Sequence, residues 1–310
     1  MGYFFGTVKK LVLLPLVFMG IVALWSCNNQ QPKRAQTIVS GKVDVITDET
    51  LLPVMEEQVA VFEHLYERTD VNMTSEQENQ IIHKLLNKEV EVAVLTRELT
   101  ERENEFFKAR KFTPRVYKFA TDALALIVNR QTVDSTITLE HIVRLMKGEG
   151  DNGALSRLVF DNPNSSTVRF LKELSDVDSL PTNGVYALKS NLDVLKYVYE
   201  NPGAVGVVGV SWVVRPDSTS RKYVDGIKVL AVKGEEGTLA GGGYYKPSQS
   251  NLADSVYALA RGVYIINAEP RKSLGMGFAA YLTGESGQRV ILKAGLLPDS
   301  IPPRELIIRK

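Results

Sequence analysis

Only one cysteine occurs in the 310 residues, Cys27, so no disulfide can form within the chain. Histidine is nearly as scarce. His64, His83 and His141 lie far apart, and no zinc-site spacing is present. An excess of one charge is also missing. With 37 basic against 36 acidic residues, the sequence lacks the electrostatic footprint of a nucleic-acid binder. Gly241-Gly242-Gly243 is not followed by Lys-Ser or Lys-Thr, so it has no Walker spacing and reads as a flexible loop. Each histidine falls in an expected helix, away from hydroxyl motifs. No catalytic residue, metal or cofactor is therefore expected, and the chain reads as a non-enzyme. A phosphate-ester hydrolase would need a nucleophile with a base, or a metal cluster. There is no repeat of fixed period and no low-complexity tract.

The N-terminus carries a short apolar run, Leu11 to Leu24, 14 residues long. A membrane span needs about 20. Lys9 and Lys10 precede the run, and polar residues follow Cys27, as in an export signal. Leu24-Trp25-Ser26-Cys27 resembles a bacterial lipobox, although Trp25 is bulky for its place. That resemblance implies cleavage of residues 1–26 as a lipoprotein signal peptide and lipidation of Cys27. An uncleaved anchor helix with an incidental cysteine is the other reading. Two or more acyl chains make a durable anchor. Loss of Lys9 and Lys10 leaves 35 basic and 36 acidic residues, net −1. Such a chain attracts an anion through local donors, not through its overall field. Residues 27–37 read as a polar tether.

Composition is that of a globular protein, 44% hydrophobic and 24% charged, and the length suggests about two domains. Lys42–Thr47, Val71–Met73 and Glu91–Leu95 read as strands. Each is followed by a hydroxyl-bearing loop and then an amphipathic helix. This alternation argues for a parallel α/β sheet. Ligands of such sheets bind beyond the carboxyl ends of the strands. Two strands are expected next, Val116–Ala120 and Ala123–Asn129. Asp122 between them reads as a strand-end turn more than as a cleft residue. Ala204–Val214 reads as one buried strand, 215–226 and 237–251 as loops, and Tyr257–Ile266 as a strand. Helices are expected over Thr138–Lys147, Asn191–Glu200, Ser273–Leu282 and Glu285–Ala294. The end of the chain, 295–310, reads as a tail. Tyr244 and Tyr245 read as a packed edge, with a pocket wall as the alternative.

The stretch Leu158 to Leu171 organises the rest. A short apolar strand, Leu158–Phe160, passes through a polar turn into Ser165-Ser166-Thr167, which open a helix with Val168, Leu171 and Leu174 on one face. Two readings are open. Ser and Thr are favoured caps. A helix N-terminus with hydroxyls is also a ready anion cradle.

Four segments carry a resemblance. Asn201-Pro202-Gly203-Ala204-Val205-Gly206-Val207-Val208 resembles the "NPGAIGYV" strand of periplasmic phosphate-binding proteins of ABC transporters. Tyr257-Ala258-Leu259-Ala260-Arg261-Gly262-Val263-Tyr264 resembles their "YPLSRPLY". Phe278 to Pro298 resembles their closing helix pair, and Asn164-Ser165-Ser166-Thr167 stands where they carry "xSGT". The resemblance, spread over 42–298, implies a two-lobed α/β periplasmic-binding-protein-like fold. Each lobe would be a mostly parallel sheet flanked by helices, with the ligand cleft between them. It implies discontinuous lobes, 38–121 with 252–310, and 122–251. By position, it implies an oxyanion site formed by Thr50, Ser75, Thr96, Arg97, Ser165, Ser166 and Thr167. Asp48 and Glu49 are candidate acceptors for a phosphate proton, with helix-start charges as the alternative.

The chain departs from the pattern. Asp161 stands where an arginine is common, and Ser166 replaces a glycine. Glu76 and Glu78 occupy the second loop. Arg169 is either a substitute for the missing arginine or a solvent-facing residue. The function implied is a lipid-anchored receptor that captures an oxyanion, foremost phosphate, for an ABC permease. It would be a monomer in the bacterial envelope, facing the periplasm. The alternative is an envelope lipoprotein that keeps the fold as a sensor accessory or scaffold.

Overall fold

A computed structural model describes residues 36–300, apart from 151, 152, 154, 235, 236, 238, 270 and 271. The expected signal peptide, Cys27, nearly all of the tether and residues 301–310 lie outside the described residues.

Three strands open the body: β1 (Gly41–Asp48), β2 (Thr69–Glu76) and β3 (Val92–Leu95). They pair in parallel in the order β2-β1-β3. After each comes a helix: α1 (Leu52–Leu65), α2 (Glu78–Asn87) and α3 (Glu101–Ala109). The chain then enters β4 (Arg115–Asn129), β5 (Thr136–Thr138) and α4 (Leu139–Met146). A second parallel group follows, β6 (Arg157–Phe160), β7 (Val185–Ala187) and β8 (Ala204–Gly209), in the order β8-β6-β7. Helices α5 (Ser166–Ser175) and α6 (Asn191–Glu200) connect it. Short pieces come next: α7 (Ser211–Val214), α8 (Arg221–Asp225), β9 (Ile227–Val229), β10 (Ala231–Lys233), β11 (Tyr244–Tyr245) and α9 (Gln249–Ala253). The chain returns through β12 (Ala260–Asn267), α10 (Leu274–Thr283), α11 (Glu285–Lys293) and β13 (Leu297–Pro298). A separate small sheet has the order β11-β10-β5.

Strand β4 lies between the two parallel groups and helps to join them. Its residues Arg115–Ala123 pair antiparallel with β12, which in turn pairs with β3. From Leu124 onward it pairs with β8 and then β9. The partner changes between Ala123 and Leu124.

Side-chain alternation explains why these strands are apolar on both faces. On β4, Leu124, Leu126 and Val128 enter one core, while Ala125 and Ile127 enter another with Val194, Leu195 and Val198 of α6. On β3, Val92 and Val94 join the first core, and Ala93 and Leu95 pack with Ile81, Ile82 and Leu85 of α2. Phe62 of α1 meets Phe278 of α10 edge-on with ring centroids 5.1 Å apart.

The sheet is mixed, because β12 and β4 run antiparallel between the two parallel groups. Several expectations need correction. Thr121-Asp122 does not end a strand. Residues 115–129 form one strand of 15 residues, and Asp122 stays in it because a buried arginine neutralises it. The apolar run Ala204–Val214 divides at Val210, which starts the short helix α7. Residues 215–226 and 237–251 contain α8, β11 and α9. Ser75 lies within β2, and the chain caps α2 at Gln77. β12 begins at Ala260, not at Tyr257.

Candidate functional site

The carboxyl ends of β2, β1 and β3 lie on one edge, since Asp48 pairs with Glu76 and Thr47 with both Ser75 and Val94. Thr50 and Thr96 follow that edge. Ser75 sits half-buried on β2, the outermost strand of the order. Opposite, β6 leads into α5, whose N-cap is Ser165. Its hydroxyl oxygen accepts from the Val168 N–H at 3.4 Å. Capping therefore operates here, but it accounts for Ser165 alone. Ser166 and Thr167 are fully buried and point into polar networks.

The first network centres on Arg261. Antiparallel register places it opposite Asp122 on β4. Both are buried. The guanidinium donates to Asp122 Oδ2 through Nε at 2.9 Å and Nη2 at 2.8 Å. It also donates through Nη2 to Thr50 Oγ1 at 2.8 Å and through Nη1 to Ser166 Oγ at 2.9 Å. One cation thus joins a hydroxyl from the β1–α1 turn to a hydroxyl from the first turn of α5. Thr50 passes the chain on, since both its N–H (2.9 Å) and its hydroxyl (2.6 Å) donate to Asp48 Oδ1. Burial pushes the Asp122 carboxyl up, and Arg261 beside it opposes the shift. Gly209 closes the junction. A Cβ there would lie 2.7 Å from the Thr50 carbonyl oxygen, so only glycine lets the end of β8 approach this turn.

The second network surrounds Asp161. Its Oδ1 accepts from Thr167 Oγ1 at 2.5 Å, and Thr167 Oγ1 is 2.8 Å from Ser165 Oγ. Asn191, at the start of α6, donates from Nδ2 to Asp161 Oδ2 at 3.5 Å. The same amide donates to Glu49, and the Asn191 N–H reaches Glu49 Oε1 at 3.3 Å. Burial and then the Asp161 charge push the Glu49 carboxyl from 4.5 up to about 8. Burial raises Asp161 as well, against the opposing hydroxyls of Thr167 and Ser165.

The third network holds Thr96 and Arg97. Glu78, 1% exposed, accepts from Arg97 Nε at 2.8 Å and from Arg169 Nε at 2.8 Å. Arg97 also forks onto Glu103, and Arg169 Nη2 lies 3.4 Å from Thr96 Oγ1. Arg169 is thus neither a substitute in the Thr167 cradle nor a solvent-facing residue. It ties α5 to α2.

Of the residues singled out in the sequence, the structure links Thr50 to Ser166 through Arg261, and Ser165 and Thr167 to Asp161. Thr96 and Arg97 belong to the Glu78 network. Asp48 accepts from Thr50, and Glu49 accepts from Asn191. Sequence reasoning missed Arg261 and Asn191 and under-read Asp122. The signal for Arg261 was available: it is the one charge in the apolar run Val256–Ile266. Asn191 looked like an ordinary helix start. Among the described residues, no group of three His, Cys, Asp or Glu side chains is placed to hold a metal ion. No helix among them is long and apolar enough to cross a membrane.

Comparison with known proteins places this architecture. The phosphate-binding protein PstS of Borreliella burgdorferi is 22% identical, with 93% of this chain and 98% of the relative covered. An ABC-type phosphate transport receptor of Vibrio cholerae superposes with a TM-score of 0.61 at 19% identity, covering 83% of this chain and all of that one. A Clostridium perfringens protein, described as a phosphate ABC transporter substrate-binding protein and solved with bound phosphate, gives a TM-score of 0.68 at 17% identity. It covers 84% of this chain and 100% of that one. The fold is the two-lobed α/β periplasmic-binding-protein-like one, with β4 running through both halves. The family model for the PBP superfamily domain matches residues 32–286, and the chain belongs to that superfamily.

Proposed function

We propose that this chain is a solute-binding lipoprotein that captures an oxyanion, phosphate foremost, between its lobes and passes it to an ABC permease. The observation that carries this reading is Arg261. A buried guanidinium reaches hydroxyls from two facing helix starts, Thr50 before α1 and Ser166 in α5. A cation, two helix N-termini and a group of hydroxyls are the elements that oxyanion binding needs. The related PstS and the phosphate transport receptors support phosphate as the ligand. The lobes would be 38–121 with 252–310, and 122–251, and the change of partner along β4 supports that division. Thr50, Ser165, Ser166 and Thr167 would bind the anion. Ser75, Thr96 and Arg97 would shape its rim, and Asp48, whose Oδ2 has no partner, would accept its proton, while Glu49 keeps a proton of its own up to about pH 8. The protein would act as a monomer, anchored through acylated Cys27 in the envelope and facing the periplasm.

Titration calorimetry on the full chain in detergent, freed of phosphate by partial unfolding and refolding, tests this. Phosphate is expected to give saturable heat, weakened at least about tenfold in Thr167→Ala, as loss of a hydrogen bond to a charged group requires. A folded chain that binds none of phosphate, sulfate and molybdate would overturn the proposal. It would favour the second reading, a sensor accessory or scaffold. The presence of Asp161 in the hydroxyl cluster supports that alternative.

A further inference from the structure

The hydrogen bonds within the cleft bear on how an oxyanion would enter it. Two of the hydroxyl donors that an oxyanion would use are engaged by the chain's own carboxylates. Thr167 donates to Asp161 Oδ1, and Thr50 donates its hydroxyl and its N–H to Asp48 Oδ1. Arg261 is held twice by Asp122 Oδ2. Three acceptors of these networks, Asp48 Oδ2, Asp122 Oδ1 and Asn191 Oδ1, are buried without a partner. A cleft waiting for an oxyanion would leave donors free, because unpaired buried polar groups are what a ligand satisfies.

Asp161 is the unusual member. It opens the turn after β6, and it is 2% exposed. Its carboxylate lies against the first turn of α5, where the helix dipole and the Thr167 hydroxyl favour negative charge. Its second oxygen is oriented by Asn191 at 3.5 Å. A carboxylate is a planar oxyanion with the same acceptor chemistry as one edge of a phosphate. The position that a ligand oxygen would take beside Thr167 is therefore held by Asp161.

We propose that Asp161 is a resident competitor: its carboxylate occupies the hydroxyl cradle at the start of α5, and an oxyanion must displace it to bind. The inference rests on the oxyanion reading and makes Asp161 the residue that sets affinity. The cost of entry is the Thr167–Asp161 hydrogen bond, together with repulsion between the incoming anion and the displaced carboxylate, with Asp48 nearby. Removing the charge while keeping the shape weakens the hold on Thr167 and removes the repulsion.

Calorimetry with inorganic phosphate at fixed pH, on the full chain in detergent, tests it with wild type, Asp161→Asn and the double variant Asp161→Asn/Thr167→Ala. The asparagine chain is expected to bind phosphate about tenfold more tightly than wild type or better, the scale of one hydrogen bond to a charged group. The double variant is expected to lose that gain. Asp161→Ser takes the place of Asp161→Asn if thermal melting finds the latter unfolded. Wild-type binding with no gain in the asparagine chain overturns this inference and leaves the oxyanion reading intact. A gain that survives Thr167→Ala also overturns it. Silence from every folded variant overturns the oxyanion reading and this inference with it.

Discussion

Glu49→Gln probes the electrostatics that hold the two sides of the cleft together. Glu49 follows β1, and its carboxyl faces Asn191 at the start of α6. Burial and the Asp161 charge raise it from 4.5 to about 8. In the unfolded chain it ionises near 4.5, while in the native chain it keeps its proton to about 8. The native state therefore binds more protons across that window, and stability falls as pH rises from about 4.5 to about 8. Below the window both states are protonated, and above it the loss is complete. At ~1.4 kcal/mol per pH unit, the whole span corresponds to ~5 kcal/mol. Water reaching the partly exposed carboxyl reduces the measurable share to ~2 kcal/mol. Glutamine keeps the shape and an acceptor but does not titrate. Urea unfolding of the full chain, followed by tryptophan fluorescence between about pH 5 and pH 9, supplies the comparison. Relative to wild type, the glutamine variant is expected to gain ~2 kcal/mol between the two ends of that range. A difference that stays constant with pH, or one that moves in favour of wild type, refutes the reasoning.

Two further perturbations test other parts of the structure. Arg261→Met leaves Asp122 buried without its partner, and urea unfolding is expected to register a loss of ~3–5 kcal/mol. Gly277→Ala would put a Cβ 1.7 Å from the Ile38 carbonyl oxygen. It is expected to cost ~1–3 kcal/mol and to open the chain around Ile38 to limited proteolysis, with the rest of the body resistant.

Locally determined features were legible in the sequence. α6 occupies the expected residues, and α3 begins with a Thr100–Glu103 capping box. Ser165 caps α5 for the reason its side chain suggests. These outcomes depend on neighbours within four residues. What was misread depends on partners far along the chain. Asp122 looks like a turn residue until Arg261, 139 positions later, neutralises it within a strand. The apolar run Ala204–Val214 has no alternation to separate β8 from α7, because both are buried. Glu78 resembles a first-turn helix acid, and its two arginines come from the loop after β3 and from α5. For the same reason the cleft residues could be nominated singly, but their grouping into three networks could not be read from the sequence.

The path of β4 and β12 has a consequence for how the chain acquires its structure. β3 finds its second neighbour only in residues 260–267. β4 lacks its partner along Arg115–Ala123 until the same segment exists. The half that starts first is thus the last to be completed, while the strands between Leu124 and Val229 can pair among themselves. Long-range closure of this kind slows folding. A chain being synthesised from its N-terminus holds an unfinished sheet edge until nearly all of it has been made. Pulse-labelled hydrogen exchange would find β8 and the C-terminal half of β4 protected before β1 and β3.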